Sequence, residues 1–356
     1  MDHLINILKE LKRGQSRNAV LATIIKVEGS AYRKEGTCML ISAGKNVGML
    51  SAGCLEEELQ YQAADMIKNQ LHAQVLVYDM SAEDDLGWGK GAGCNGKIHI
   101  LLEMMTDTLY ENLLQVEELI EGGNTVQRVK SFEQNNQWSL YISDNECFFG
   151  DKSKYNGVAK YLLRSSEHSS TFQLKGQCFI QRVTPPPRMF IFGAGEDVKP
   201  LVVIGAQTGL DIHIWDWRPA KLAEMKQFNV KVTKDVSIFN FVRSFSFKPN
   251  DAIIVMTHAF QKDQEILKHI IACRPPSYVG VMGPRNRTAR LLTANEMKPI
   301  PNLDTPAGAA IGAQGAEEIA VSIMANVIKH IRMSIHDNER RNKNGETDNR
   351  YLSGSG

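Results

Sequence analysis

The stretch "RMFIFGAGEDV", residues 188–198, indicates the fold of the second half of the chain. A short apolar run of strand type leads directly into Gly193 and Gly195, and helical periodicity follows. The runs "DIHIWD", "DAIIVMTH" and "YVGVMG" are further strands, and helical patterns alternate with them. This alternation predicts an α/β fold with a doubly wound parallel sheet of the Rossmann type.

The glycine turn of this stretch is an incomplete dinucleotide fingerprint. Gly193 permits a tight turn, and Gly195 permits close approach of a phosphate to the helix start. Val198 stands where the third glycine of the fingerprint is expected. Glu196 and Asp197 would repel a pyrophosphate at this position. The turn therefore predicts the fold more firmly than it predicts a bound NAD(P) cofactor.

Further candidate residues follow the later strands, at the carboxyl edge where open α/β sheets bind ligands. Asp216 stands where a ribose-binding carboxylate is expected, although it could instead be a capping or turn residue. His258 is a candidate ligand or acid–base residue, but such a histidine is more often hydrogen-bonded within a turn, and its evident partner is Asp263. Arg285 and Arg287 could clamp a phosphate or carboxylate, or simply be solvated.

Three consecutive prolines, residues 185–187, mark a domain boundary, because they fit neither a helix interior nor a central strand. We expect an N-terminal mixed α/β domain over 1–184, a C-terminal Rossmann-type domain over 188–335 and a polar tail over 336–356. The patterns of the first domain predict strands at 19–27, 38–42, 47–50, 73–79 and 97–103, and helices at 1–14, 54–70, 107–123 and near 157–166.

The composition indicates a globular protein that acts on neither nucleic acid nor membranes. The chain has 356 residues, 43% hydrophobic residues and a formal net charge of +1, so there is no basic excess. It contains neither an apolar run of membrane-spanning length nor a signal peptide, and we expect a cytoplasmic protein. The six cysteines form no C-x-x-C pair, which argues against disulfides and a zinc site.

A second glycine-rich stretch, "DDLGWGKGAGCNGKI" at residues 84–98, surrounds Cys94 and precedes a strand. The simpler interpretation is a tight connection between strands. The alternative is a bed of backbone N–H groups that binds an anion beside a reactive thiol. In that case Cys94 is the functional thiol, and the candidate cofactor-binding residues are Gly89, Lys90, Gly91 and Gly93.

Cys54, in "SAGCLEEEL", is a second candidate thiol. It precedes a predicted helix, whose positive end favours a thiolate, but three glutamates at 56–58 oppose that effect. Cys54 could equally be a small buried residue. Arg33 and Lys34, in the upstream turn "EGSAYRKEG", could lie near it, and Arg33 is a candidate cofactor-binding residue.

Long motifs in both halves of the chain resemble those of the XdhC/CoxI family. In the first half they are "ATIIKVEGSAYRKEGTCMLI", "GMLSAGCLEEEL" and "GWGKGAGCNGKIHILLE". In the second half "RMFIFGAG", "MTHAFQKD", "YVGVMGPRNR" and "IGAQGAEEIAVSIMANVI" resemble the family's Rossmann-type domain. The chain has Ala52 where the family usually has glycine, and Glu196 where it usually has histidine.

The resemblance implies an accessory factor for molybdenum hydroxylases such as xanthine dehydrogenase. Such a factor binds molybdenum cofactor, helps it acquire its sulfido ligand and passes it to the apo-enzyme, with a cysteine desulfurase-type donor as a second partner. The family cysteines correspond to Cys94 and Cys54. Cys94 would ligate molybdenum or relay sulfur, and the glycines around it would bind the cofactor's phosphate.

Two other functions stay open at this point. The Rossmann-type half could serve an NAD(P)-dependent oxidoreductase, or the chain could be a scaffold between a sulfur donor and a dehydrogenase. We also expect a cleft between the two halves and a homodimer, since the apolar stripes of the terminal helices exceed what one sheet covers.

Overall fold

The computed structural model places the chain in two compact units, Asp2–Pro185 and Pro186–Gly356, which divide between two of the three prolines. The predicted α/β fold class is confirmed, with a parallel sheet in the C-terminal unit. The structure describes residues 3–14, 18–42, 45–51, 53–80, 96–133, 137–162, 170–173, 177–228, 230–233, 237–272, 276, 278–293, 300 and 302–343.

The first sheet of the N-terminal unit is antiparallel, with the strand order β3-β2-β1-β5-β4. Side chains alternate between its faces, so that Val20 and Ala22 pack on the same side as α2, and Leu21 packs on the other side with α1 and α3. The elements are α1 His3–Lys12, β1 Ala19–Gly29, β2 Cys38–Ser42, β3 Lys45–Gly48, α2 Glu56–Lys68, β4 Ala73–Asp79, β5 Gly96–Met104 and α3 Asp107–Glu121.

The second sheet of this unit is also antiparallel, with the order β8-β7-β6-β10-β9. Its elements are β6 Val126–Ser131, β7 Trp138–Ser143, β8 Phe148–Gly150, a 3₁₀ turn Lys152–Lys154, α4 Tyr155–Leu162, β9 Ser170–Gln173 and β10 Gln177–Val183. A buried ion pair joins the two sheets: Arg128 of β6 bonds Glu103 of β5, and Lys130 Nζ lies 3.2 Å from Glu103 Oε1.

The C-terminal unit contains a six-stranded parallel sheet with the order β13-β12-β11-β14-β15-β16. The order reverses between β11 and β14, so these adjacent strands form the switch point at which such sheets bind ligands. The elements are β11 Arg188–Phe192, α5 Val198–Gln207, β12 Asp211–Trp215, α6 Pro219–Met225, β13 Lys231–Val232, α7 Ile238–Arg243, β14 Ala252–Val255, α8 Phe260–Ala272, β15 Tyr278–Val281, α9 Arg285–Thr293, β16 Leu303–Asp304 and α10 Gly315–Lys343.

Both faces of this sheet are covered by helices. Met189 and Ile191 of β11 pack in a core that includes Leu201 of α5 and Ile323 of α10. Phe190 packs on the opposite face with side chains of α7, α8 and α9. Burial on both faces is the arrangement that the continuous apolar strands predict.

The last helix is longer than its apolar stripe. α10 continues past residue 335 to Lys343, into the segment predicted to be a polar tail. Lysine, arginine and glutamate are good helix formers, so the helix can extend beyond its buried apolar stripe. None of the described helices combines the length and apolar character that a membrane span requires.

Candidate functional site

Three segments with candidate residues leave the first sheet at the same end. Gly29, the last residue of β1, pairs with Gly96, the first residue of β5, and Asp79 at the end of β4 pairs with Lys97. The turn 30–37 begins at this end. Met80, which precedes the glycine-rich stretch, and Gly96, near the end of that stretch, also lie there, and the Met80 N–H donates to the Gly96 carbonyl oxygen. We refer to this region as the loop end of the first sheet.

The loop that carries Cys54 also starts at the loop end, after β3. Leu50 and Leu55, on either side of Cys54, pack in one cluster with Met80 and Ala31, which belong to the other two segments. Because these apolar anchors share one cluster, the described ends of the three segments lie close together. The structure thus brings the surroundings of Cys54 together with the turn that contains Arg33.

Glu56 and Ser51 shape the Cys54 loop. The Glu56 carboxylate accepts hydrogen bonds from the Leu50 N–H at 3.1 Å, the Ser51 N–H at 2.7 Å and the Ser51 hydroxyl. The Ser51 hydroxyl oxygen accepts from the Gly53 and Leu55 N–H groups. Burial opposes ionisation of Glu56, but these donors lower its pKa. The first of the three glutamates is therefore engaged in holding the loop that presents Cys54, which is half-buried.

Arg33 has a buried guanidinium nitrogen without a hydrogen-bond partner among the described residues. The nitrogen is Nε, and the guanidinium carbon lies 5.0 Å from the centre of the Tyr32 ring. A buried donor of a charged group is costly unless something accepts from it. Arg33 is therefore suited to bind an anionic group at the loop end.

Gly96 shows why at least one glycine of this stretch is needed. A Cβ atom there would clash with the backbone of Glu28 and Ser30, because the neighbouring strand passes very close. The other predicted residues of the stretch, Cys94, Gly89, Lys90, Gly91 and Gly93, lie outside the described residues. Within the described residues no group of three or more histidine, cysteine or acidic side chains could hold a metal ion.

The carboxyl edge of the parallel sheet holds the remaining candidates. Gly193 has a φ of 125°, and a Cβ atom on it would lie 2.6 Å from the Met256 carbonyl oxygen. Glycine is required at position 193 because the chain after β11 turns close to the backbone that follows β14. Gly195 follows, and a Cβ atom on it would lie 2.5 Å from Asp197 Oδ1.

Asp216 serves the turn itself. Its side chain is fully buried, and Oδ2 accepts from the Ala194 N–H at 2.8 Å. Arg218 donates to both carboxylate oxygens, with its Nε 2.9 Å from Oδ1 and its Nη2 2.8 Å from Oδ2. The carboxylate that the spacing suggests for a ribose hydroxyl thus links two turns of the protein.

His258 has a different partner from the one that its sequence position suggests. Its Nε2 lies 2.6 Å from Asp197 Oδ2, in the turn after the adjacent strand β11. Asp263 instead accepts from Thr257 Oγ1 at 2.5 Å and from Arg287 Nη2 at 2.6 Å. The hydrogen bond that His258 donates to Asp197 raises the pKa of His258, and the same bond lowers the pKa of Asp197.

Of the two arginines after β15, Arg287 is built into this network, whereas Arg285 is exposed at the start of α9. Asp197 is a residue whose role as the partner of His258 is not predicted from the sequence. Its proximity to His258 depends on β11 and β14 being neighbours, which the local sequence does not reveal. The local signal is that an acidic residue, two positions after Gly195, needs a positive partner.

Comparison with known proteins identifies the relatives of this chain. Residues 189–327 match the XdhC Rossmann domain, and residues 13–79 match the XdhC and CoxI family. A Bacillus subtilis protein described as a probable subunit of xanthine dehydrogenase is 38% identical over 315 residues, which is 87% of this chain and 92% of that protein. The molybdenum cofactor insertion chaperone PaoD of Escherichia coli is 22% identical, over 87% of this chain and 83% of that protein.

A solved structure shares the architecture over nearly the whole chain. It is a crystal structure of a protein from Bacillus halodurans described as a xanthine dehydrogenase, with 38% sequence identity and a TM-score of 0.79. The match covers 94% of this chain and 96% of that one. With both halves matched and this identity along most of its length, the chain belongs to the XdhC and CoxI family, as its motifs predict.

Proposed function

We propose that this chain is an accessory factor for a xanthine dehydrogenase-type molybdenum hydroxylase, which binds molybdenum cofactor, supports its sulfuration and delivers it to the enzyme. Family membership and the similarity to a molybdenum cofactor insertion chaperone support this proposal. The chain acts in the cytoplasm, as a homodimer, together with the molybdoenzyme and a cysteine desulfurase-type sulfur donor. Sulfuration would precede delivery to the apo-enzyme.

The observation that carries the proposal is the meeting of three segments at the loop end of the first sheet. Cys54 and Arg33 lie on two of them, and the third is the glycine-rich stretch, whose flanking residues lie at the same end. The cargo is a pterin with a dithiolene and a phosphate. The guanidinium of Arg33, whose Nε has no hydrogen-bond partner among the described residues, would bind the phosphate, and a thiolate suits molybdenum or a sulfur atom in transfer.

In this proposal the candidates of the N-terminal unit have the following roles. Cys94 ligates molybdenum or carries the sulfur atom to be transferred, and Cys54 assists it. Gly89, Lys90, Gly91 and Gly93 donate to the phosphate. Glu56 and Ser51 position Cys54 through their bonds to its loop.

The test is elemental and pterin analysis of the protein purified from cells that make molybdenum cofactor. We expect close to stoichiometric molybdenum and pterin in the wild type, a loss of both in Cys94→Ala and a smaller loss in Cys54→Ala. Cys147→Ala is the matched control, because Cys147 is a half-buried thiol outside the loop end.

Two results would overturn the proposal. Bound nicotinamide without pterin would show that the Rossmann-type unit serves an oxidoreductase. Absence of both from the wild type, with intact binding of the dehydrogenase, would show a scaffold. Full molybdenum content in Cys94→Ala would remove that residue's role and leave the glycine-rich stretch as a connection between strands.

A further inference from the structure

In the glycine turn of the C-terminal unit, an acidic side chain of the protein itself lies against the backbone. The Asp197 carboxylate lies against Gly195, with Oδ1 only 2.5 Å from the position that a Cβ atom would take. In dinucleotide-binding sheets the backbone at this glycine is kept bare so that the pyrophosphate can approach it. Here a side chain of the protein occupies the space that the missing Cβ leaves open.

His258 holds this carboxylate in place from the adjacent strand. The bond from Nε2 to Asp197 Oδ2 is 2.6 Å long and crosses the switch point between β11 and β14. His258 has a φ of 61°, a left-handed conformation that is uncommon for residues other than glycine. Such conformations persist where the surrounding structure enforces them, so the imidazole is positioned for this bond.

Several other charges near the turn are paired among the residues that the structure describes. Arg218 is bound to Asp216, Arg287 is bound to Asp263, and Glu196 bonds Lys199 and Lys221. Asp197, which bonds His258 directly, and the nearby charges of Asp263 and Arg287 act on the His258 imidazole. An incoming pyrophosphate would meet the Asp197 carboxylate and would have to break its bond to His258.

We propose that Asp197 is a specificity residue that, held by His258, closes the glycine turn to the pyrophosphate of dinucleotides such as NAD(P). The Rossmann-type unit thus keeps the fold of a dinucleotide-binding domain while its phosphate position is filled by the chain itself. Removal of the carboxylate leaves Gly195 bare and His258 without its counter-charge. Both changes favour an anion at this position.

The test is titration of the full chain with NADH, followed by nicotinamide fluorescence, and with ADP-ribose by calorimetry. We expect Asp197→Ser to bind both ligands at least tenfold more tightly than the wild type. Asp197→Asn removes the charge but keeps a side chain in the turn, so its gain should be smaller. Glu196→Gln is the matched control, because it removes one exposed negative charge beside the turn without opening it.

Each outcome decides the proposal. A gain in Asp197→Ser that Glu196→Gln does not share supports it. Equal gains in affinity in Asp197→Ser and Glu196→Gln would show that only the net charge matters, and would overturn the proposal. So would tight NADH binding by the wild type, or no gain in either Asp197 variant when circular dichroism shows that they are folded. The molybdenum content of the variants is measured in parallel, so this result stays separate from the test of the proposed function.

Discussion

Substitutions in the buried ion pair of the N-terminal unit should destabilise it in a defined order. Glu103 and Arg128 are each 3% exposed, and Lys130 is the second cation beside Glu103. Although burial opposes ionisation of Glu103, the two cations lower its pKa. Removing one partner of a buried pair costs about 3–5 kcal/mol, because the remaining charge is uncompensated.

The identity of the remaining charge sets the order. Arg128→Met leaves Glu103 with Lys130 at 3.2 Å, so one neutral pair survives and the loss should be near the lower figure, about 3 kcal/mol. Glu103→Gln leaves two cations without an anion, so its loss should be near the upper figure, about 5 kcal/mol. Glu118→Gln, on the neighbouring helix α3, should change little because that carboxylate is not in the buried pair.

Hydrogen exchange followed by mass spectrometry measures these losses locally. Peptides from β5 and β6 should exchange on the order of 100-fold faster in Arg128→Met, and faster still in Glu103→Gln, since about 1.4 kcal/mol corresponds to a factor of ten. Peptides from β11 and β14 serve as an internal reference. The reasoning is refuted if Arg128→Met is the more destabilised variant, or if both lose less than about 1 kcal/mol.

Three further predictions concern the turns that carry the candidate sites. Since Asp197 raises the pKa of His258, their bond should stabilise the C-terminal unit below about pH 6.5 and lose this effect as the pH rises through the raised pKa. Asp197→Asn should therefore lower the melting temperature at pH 6 but not at pH 9. NMR follows the titration of the histidine. Gly193→Ala should cost on the order of 3 kcal/mol in thermal unfolding, because of its positive φ and the adjacent Met256 carbonyl; an unchanged melting temperature would contradict this. Glu56→Gln should cost about 1–3 kcal/mol and change the alkylation rate of Cys54, whereas Glu57→Gln, an exposed control, should do neither.

The fold could be predicted where the signal is local. The apolar strand that ends at Gly193 and the alternation after it indicate a parallel sheet, because period and turn residues lie within a few positions of one another. The second sheet of the N-terminal unit is less predictable. Its strand β6 pairs with β10, so Val126 faces Val183 across a long intervening segment.

In the candidate site, too, the local residues can be predicted from the sequence, whereas their distant partners cannot. The residue types at Gly193, Asp216 and His258 point to the carboxyl edge, and the structure places them there. Their partners are not local: Asp197 is 61 positions from His258, and only the adjacency of β11 and β14 brings them together. The sequence spacing that suggests a ribose ligand for Asp216 also cannot show that Arg218 occupies both its oxygens.

The outermost strands of the parallel sheet bear on how two copies of this chain can associate. β13, Lys231–Val232, and β16, Leu303–Asp304, are two residues long, and each forms one of the margins. A strand from a second copy would find too few free backbone groups there to extend the sheet, which protects such proteins from edge-to-edge aggregation. A homodimer that involves this unit would therefore not be built by extension of this sheet, and its two copies would separate without any rupture of sheet hydrogen bonds.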